Sequence, residues 1–136
     1  MRDQSQHRRG DVVLVDLPFV TDPAERKPRP SVIIQNDIGN RFSPNLIVAA
    51  ISSQLPARSY PTNVILRLGS PEAEGAGLDR DSVVQAEVIL TVPKPAVMRL
   101  LGRLNPSAMS AVDDCVRVNL GLSGDHPAPM PGTVAG

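Results

Sequence analysis

Short apolar runs rich in valine and isoleucine, bounded by turn-forming residues, constrain the fold of this chain more than any other feature. They are DVVLVDL at 11–17, SVIIQ at 31–35, LIVAAI at 46–51 and SVVQAEVILTV at 82–92. β-branched residues favour strands, and short runs bounded by Pro, Gly, Asn and Asp are typical of a buried sheet. A further strand is predicted at 63–68. The sequence therefore predicts five or six strands, with 82–92 forming one bent strand or two short ones.

Two helices are predicted after these strands. Pro95 can begin a helix that ends at Gly102, and Asn105 can cap another with Pro106 in its first position. In the second helix, apolar residues recur at spacings of three and four up to a terminating glycine: Met109, Val112, Val116, Leu120 and Gly121. Strands first and helices last indicate the α+β class, and strands this short and numerous suggest a small, mostly antiparallel barrel.

The length of 136 residues predicts one domain with a real core. We place that domain at 9–122, after a flexible N-terminal tail at 1–8. The final stretch, SGDHPAPMPGTVAG at 123–136, is rich in Pro and Gly and is predicted to be disordered. Within the domain, GSPEAEGAG at 69–77 has the composition of a flexible linker.

Cysteine content and hydropathy indicate the compartment. The single cysteine, Cys115, excludes an internal disulfide, and no apolar run approaches membrane-spanning length. We therefore expect a soluble cytoplasmic protein with no membrane partner. Cys115 neighbours the apolar stripe of the second helix, and no histidine lies nearby in sequence, so a small buried thiol is favoured over a nucleophile.

The charge distribution favours an anionic partner for the first half of the chain. Residues 1–67 hold nine Lys or Arg and six Asp or Glu (net +3), and residues 68–136 hold five and eight (net −3). An arginine flanked by Pro28 and Pro30 stands out in the basic half, because the two prolines restrict its backbone to extended angles. Arg29 beside hydroxyl donors could clamp a phosphate. The alternative is an arginine in a surface ion pair, flanked by prolines that blunt a strand edge.

A series of short motifs runs through the chain in a fixed order. The motifs are Arg9-Gly10-Asp11, Asp16-Leu17, Lys27-Pro28-Arg29-Pro30, Asn36-Asp37, Ser43-Pro44, Ile51-Ser52-Ser53-Gln54, GLDRDSVV at 77–84, LGRL at 101–104 and NLGL at 119–122. Together they resemble the MazF/PemK family of toxin endoribonucleases of type II toxin–antitoxin systems. The resemblance covers about residues 8–122.

This resemblance implies a compact SH3-like barrel with appended helices, including a C-terminal helix, that works as a homodimer. It also implies a sequence-specific, metal-independent endoribonuclease that cleaves single-stranded mRNA and is inhibited by a cognate MazE-like antitoxin. An ACA-containing cleavage site is expected. No cofactor is implied. The residues agree, because the histidines, His7 and His126, fall in predicted tails and the carboxylates form no cluster at metal-ligand spacing.

The family's catalytic pair falls on Arg29 and Ser52. RNA cleavage can proceed on such a pair because the nucleophile is the substrate's own 2′-hydroxyl, so the protein need only align it and stabilise charge. The products would be a 2′,3′-cyclic phosphate and a 5′-hydroxyl. Most relatives carry threonine where this chain has Ser52. Arginine stays protonated in proteins, so the general base must be another group, and Asp16 and Glu25 are the candidates.

Residues expected to contact RNA lie in the predicted loops and at strand ends. Aromatic rings can stack on bases and basic side chains can follow the phosphates. The predicted contacts are Phe19, Arg26, Lys27, Asn36, Arg41, Phe42 and Gln54. Loop aromatics that cap the ends of the barrel are an alternative interpretation.

Two other functions are compatible with the fold that this resemblance implies. One is a binding module that grips single-stranded RNA without cutting it, which the missing general base leaves open. The other is a gyrase inhibitor of the CcdB type. That family relies on a C-terminal Trp-Gly-Ile, whereas this chain has no tryptophan and ends in Val134-Ala135-Gly136, which counts against it.

Overall fold

A computed structural model of the chain describes residues 6–16 and 28–122. These residues form six strands, one short helix and one long helix. The strands are β1 (Asp11–Val15), β2 (Arg29–Ile33), β3 (Asn45–Ser52), β4 (Asn63–Leu66), β5 (Ser82–Pro93) and β6 (Val97–Arg103), and the helices are α1 (Asp37–Phe42) and α2 (Pro106–Leu120). Two 3₁₀ turns, Pro71–Ala73 and Lys94–Ala96, precede β5 and β6 respectively.

All six strands belong to one antiparallel sheet with the order β4-β5-β3-β2-β1-β6. β4 and β6 are the two edges of this ladder within the described residues. The predicted α+β class, with an antiparallel sheet and a C-terminal helix, is confirmed. No helix in the described part of the chain is long and apolar enough to span a membrane.

The sheet separates two apolar cores, one on each face. The larger core lies under α2, and the smaller one fills the opposite face. The larger includes Val12, Val32, Ala49, Ile51, Val84 and, from α2, Ala108 and Val112. The smaller consists of Val13, Val15, Ile33, Leu46, Val48 and Val92. Strict alternation of side chains along β1 explains the division, because Val12 faces one core while Val13 and Val15 face the other.

Strand bounds differ from the predictions at several ends. β2 begins two residues earlier than predicted, so Arg29 and Pro30 are part of the strand. Pairing of β2 with β3 starts only at Ser31, so Pro30 has a neighbouring strand on the β1 side alone. A missing N–H is tolerated at such a position. β4 ends at Leu66, two residues before the predicted end. β5 is one bent strand, because residues 86–88 have no partners in β3 between the pairs Ala49–Ile89 and Ala50–Gln85.

The helix predicted from Pro95 to Gly102 is wrong. Pro95 lies in a 3₁₀ turn, and residues 97–103 form β6, which pairs with β1. Met, Arg and Leu dominate this segment and favour helix when considered alone. Pairing with the edge of β1 overrides that local preference. Through it, residues 97–103 gain backbone hydrogen bonds, and Val97 packs against the smaller core.

The prediction of a flexible linker at 69–77 is also wrong. Ala76 is fully buried in the larger core, and the Gly75 carbonyl accepts a 2.8 Å hydrogen bond from the Arg103 backbone N–H. Asn105 Nδ2 donates to the carbonyl of Pro71 at 2.8 Å. Glycine is needed at positions 77 and 102 because the backbone of the 75–77 segment touches the backbone of β6 there. A side chain on either residue would prevent this close approach.

α2 follows its predicted boundaries. Asn105 is the N-cap, its Oδ1 accepting from the Ala108 N–H at 2.9 Å, and Gly121 ends the helix in the left-handed region at φ 69°. Cys115 is buried on the inner side of α2, and its thiol lies 3.7 Å from the carbonyl oxygen of Asn63. The predicted buried thiol is therefore confirmed.

Candidate active site

Arg29 and Ser52 lie beside each other at one end of neighbouring strands. The register of β2 and β3 pairs Ser31 with Ala50. Counting two residues further along both strands sets Arg29 opposite Ser52. Arg29 also pairs with Val15 of β1, and Ser52 with Val83 of β5. The two polar residues therefore occupy one row across the middle of the sheet.

Both side chains belong to the face that carries the smaller core. Arg29 shares that face with Val15, its partner in β1, and Ser52 shares it with Ala50, two residues before it. Arg29 and Ser52 are half-buried, at the point where this core gives way to polar residues. The serine next in sequence, Ser53, lies beyond the end of β3 and is exposed. Ser52 is thus the serine that the strand fixes in place.

Ser31 lies one row deeper on the same face and is fully buried. Its hydroxyl has no hydrogen-bond partner among residues 6–16 and 28–122. A buried hydroxyl without a partner typically costs about 1–3 kcal/mol. The unsatisfied Ser31 hydroxyl therefore lies at the base of the site, between Arg29 and the apolar side chain of Ile33.

The Arg29 guanidinium forms no ion pair with another described residue. Four other arginines in the described ranges do pair with carboxylates: Arg9, Arg67, Arg80 and Arg103, beside an i,i+3 contact of Arg117. A surface ion pair was the alternative to a phosphate clamp, and no such pair occurs within these ranges. The five donors of the guanidinium fork can therefore be directed at an anion.

The hydroxyl of Ser52 is held by the backbone of the following turn. Its Oγ accepts a 3.0 Å hydrogen bond from the N–H of Gln54. Gln54 itself is exposed. The bond occupies an oxygen lone pair and leaves the hydroxyl proton free to donate.

Three predicted RNA contacts lie at the opposite end of these strands. Asn36, Arg41 and Phe42 belong to α1 or its cap, and α1 joins the end of β2 to the start of β3. The eight residues of β3 separate that end from Ser52 by about 23 Å. Phe42 is 74% exposed, and the Arg41 guanidinium carbon lies 5.2 Å from its ring centroid. Asn36 caps α1 through its Oδ1, which accepts from the Gly39 N–H at 2.8 Å.

The α1 end is fixed to the rest of the fold through Arg9. Its backbone N–H donates to Asp37 Oδ1 at 2.7 Å, its Nε donates to the Ile34 carbonyl at 3.0 Å, and its Nη1 donates to Asp113 of α2 at 3.2 Å. The hydrogen bond from the Arg9 backbone lowers the pKa of Asp37, and one from Asn40 acts in the same direction. This polar cluster supports α1 and is not part of the Arg29 site.

Of the two candidate bases, Asp16 is described and Glu25 is not. Asp16 follows β1 directly, and its N–H donates to the Ala96 carbonyl at 3.0 Å. The alternation of β1 would direct the Asp16 side chain to the face opposite Val15 and Arg29. Glu25, Phe19, Arg26 and Lys27 lie outside the described residues.

The structure adds Gln85 to this face and places Glu87 two residues beyond it, and the sequence analysis identified neither. Gln85 pairs with Ala50, and Glu87 follows it in the bulge of β5, exposed and bonded at both carboxylate oxygens by Asn63 Nδ2. The signal in the sequence was a pair of polar residues interrupting the apolar run at 82–92. Bulges often redirect side chains next to active sites.

Across the described residues, no group of three or more His, Cys, Asp or Glu could hold a metal ion.

Comparison with known proteins identifies relatives of this chain. Residues 8–120 match the family of PemK-like, MazF-like toxins of type II toxin–antitoxin systems. Endoribonuclease EndoA of Bacillus subtilis strain 168 is 39% identical over 115 residues, which cover 85% of this chain and 95% of that protein.

Solved structures share the fold at lower identity. An endoribonuclease from a mycobacterial species, solved with its cognate antitoxin, superposes with a TM-score of 0.67 at 24% identity, covering 88% of this chain and 99% of that one. A MazE-MazF structure (Form-III) from Deinococcus radiodurans gives 0.65 at 18% identity, covering 87% and 99%. The family match and the EndoA similarity span most of the sequence, and the chain belongs to the PemK-like, MazF-like toxins of type II toxin–antitoxin systems.

Proposed function

We propose that this toxin is a metal-independent endoribonuclease that cleaves single-stranded mRNA with Arg29 and Ser52 as its catalytic pair. The observation that carries the proposal is the placement of these two residues in one row, on one face, at the same end of β2 and β3. The 39% identity to an endoribonuclease supports the reaction class.

The reaction needs no nucleophile from the protein. The 2′-hydroxyl oxygen attacks the adjacent phosphorus, a new P–O2′ bond forms, and the P–O5′ bond breaks. The products are a 2′,3′-cyclic phosphate and a 5′-hydroxyl. Arg29 stabilises the charge that grows on the phosphate oxygens and can donate a proton to the leaving 5′-oxygen. Ser52 donates a second hydrogen bond to the phosphate.

The proton of the 2′-hydroxyl must leave to a separate base. Ser52 Oγ already accepts from Gln54, which makes it a poor acceptor for that proton. Asp16 and Glu25 remain our candidates for this role, and Glu25 is preferred because the strand alternation turns Asp16 away from Arg29.

Contacts with RNA are proposed at both ends of β2 and β3. Gln54 lies beside Ser52 and would contact nucleotides at the scissile phosphate. Arg41, Phe42 and Asn36, about 23 Å away along β3, could reach only a nucleotide several positions distant. Phe19, Arg26 and Lys27 are proposed to contact bases and phosphates near the cut. An ACA-containing sequence is the proposed recognition site.

We further propose that the protein is a cytoplasmic homodimer inhibited by a cognate MazE-like antitoxin. A fold relative has been solved with its cognate antitoxin, which supports this type of partner. Coexpression of the chain with an antitoxin from the same operon should abolish cleavage.

The decisive experiment incubates the purified protein with a long single-stranded RNA in excess EDTA and maps the product ends. Discrete cuts bearing cyclic phosphate, at one short sequence, are expected from the wild-type protein. Arg29→Ala should lower the cleavage rate about 100-fold or more, as when a donor that stabilises transition-state charge is removed. Arg58→Ala, which removes an exposed arginine of the loop before β4, is the matched control. Bound but intact RNA would instead identify a binding module.

A further inference from the structure

Ser52 is not β-branched, so its own side chain does not fix the orientation of its hydroxyl. The threonine methyl group restricts χ1 through β-branching. A serine has three staggered χ1 rotamers open to it, and only one of them directs the hydroxyl to a given point. A catalytic hydrogen bond from an unrestrained serine would therefore be made only part of the time.

The turn after β3 supplies a restraint. The Gln54 N–H donates to Ser52 Oγ at 3.0 Å, and the described backbone contains no other acceptor for this N–H. Because Ser52 is the last residue of β3, its Cα position is fixed by the ladder with β5, while the Gln54 bond fixes its χ1. The oxygen accepts, so the hydroxyl proton remains available to a ligand on the same face.

We propose that the backbone N–H of Gln54 is a positioning group for catalysis, which holds the Ser52 hydroxyl as a hydrogen-bond donor and replaces the restraint that a β-branched residue would provide. This inference rests on the proposed function of Ser52. It assigns Gln54 a role through its backbone that is separate from any contact its side chain makes with RNA.

The test compares two substitutions that remove the same side chain. Gln54→Ala keeps the N–H, whereas Gln54→Pro deletes it, so the ratio of their single-turnover cleavage rates reports the loss of the N–H together with any strain from the proline ring. We expect Gln54→Pro to be about 3- to 10-fold slower than Gln54→Ala, the range of one neutral hydrogen bond. Addition of Ser52→Thr to Gln54→Pro should restore the rate to within about twofold of the Ser52→Thr, Gln54→Ala double variant, because β-branching then supplies the restraint.

A proline that merely distorted the turn would not be rescued by Ser52→Thr, and that result would overturn the proposal. Replacement of Gln54 by its α-hydroxy acid analogue removes the N–H without a ring and keeps the side chain, so it should slow cleavage about 3- to 10-fold relative to the wild type. Thermal melting of each variant shows that the compared proteins are folded.

A second readout does not depend on activity. The Hα–Hβ coupling constants of Ser52, measured by NMR on the full chain, should indicate one χ1 rotamer in the wild type and in Gln54→Ala, and averaging in Gln54→Pro. Averaged couplings in the wild-type protein would contradict the inference. A wild-type protein that fails to cut RNA would refute the proposed function instead, and the couplings would still decide whether Gln54 orients Ser52.

Discussion

Individual residues in this fold owe their chemistry to the backbone that surrounds them. Arg29 is held extended by two prolines and by pairing with β1, and Ser52 is held by the end of β3 and by Gln54. What distinguishes the two residues is where the backbone places them, and not an unusual set of neighbouring side chains. In the proposed mechanism, their roles depend on position.

Cys115 illustrates the opposite case, a potentially reactive group that the fold makes inert. Burial raises the pKa of its thiol, and the neighbouring Asp114 and Glu87 act in the same direction. The thiol should therefore stay protonated at neutral pH. We expect the native protein to react with a disulfide reagent such as DTNB at least about 100-fold more slowly than the urea-unfolded chain, measured by absorbance. Equal rates in the two states would show that the thiol is accessible.

Asp37 makes a pH-dependent contribution to stability. Hydrogen bonding, first from the Arg9 backbone, lowers its pKa below the ordinary value of 3.8. A carboxyl whose pKa falls on folding stabilises the native state above its unfolded pKa, and this stabilisation is lost as the pH falls through the lower, native pKa. The contribution is therefore complete at neutral pH and declines progressively as the pH falls below about 4.

We expect Asp37→Asn to reduce the drop in Tm between about pH 5 and pH 2, because the variant has no charge to lose. Circular dichroism melts across this range provide the measurement. Asp79→Asn is the control, since the Asp79 side chain is 87% exposed and pairs with the adjacent Arg80. If both substitutions changed the pH dependence equally, Asp37 would have no special role.

At the scale of elements, local sequence patterns predicted some structures well and failed where the partner was distant. The cap, first-turn proline and terminating glycine of α2 are local signals, and they predicted its bounds. β6 has helix-favouring residues and becomes a strand only because β1, more than eighty residues earlier, offers it an edge. The 69–77 segment has linker composition, yet contact with β6 orders it. Such long-range contacts leave no local pattern in the sequence.

The crossing of β6 and the 75–77 segment gives a sharp test of that explanation. A Cβ at Gly102 would lie 2.4 Å from the Gly75 carbonyl oxygen and 2.5 Å from the Ala76 carbonyl carbon. Backbone atoms cannot move aside as a flexible side chain can, so we expect Gly102→Ala to lower the free energy of unfolding by about 2–3 kcal/mol in urea titrations.

Gly69→Ala is the matched control for that substitution. Gly69 has a positive φ of 81° but no atom within 4 Å of the added Cβ. Its loss should be limited to backbone strain, about 1 kcal/mol. If Gly69→Ala proved the more damaging of the two, the close crossing would not be the reason that glycine occupies position 102.

For the whole molecule, the candidate site depends on a topology that was only partly predictable. The apolar runs predicted neighbouring strands at 31–35 and 46–51, and thus the approach of Arg29 and Ser52 to each other. They could not predict that α1 places Asn36, Arg41 and Phe42 about 23 Å from Ser52. Nor could they predict that Gln85 lies on the same face as Ser52, or that β5 bulges directly after it. Register and bulges depend on pairing between distant strands, whereas the apolar pattern reports only on each strand alone.

The central claim is that Arg29 and Ser52 act on one phosphate as a unit. A double-mutant cycle of single-turnover RNA cleavage in EDTA, with Arg29→Ala, Ser52→Ala and the combined variant, tests it most directly. Residues that stabilise the same transition state are strongly non-additive, so we expect the combined variant to be slower than Arg29→Ala by no more than about threefold, although Ser52→Ala alone costs at least about tenfold. Rate losses that simply multiply, or wild-type cleavage by either single variant, would contradict the account.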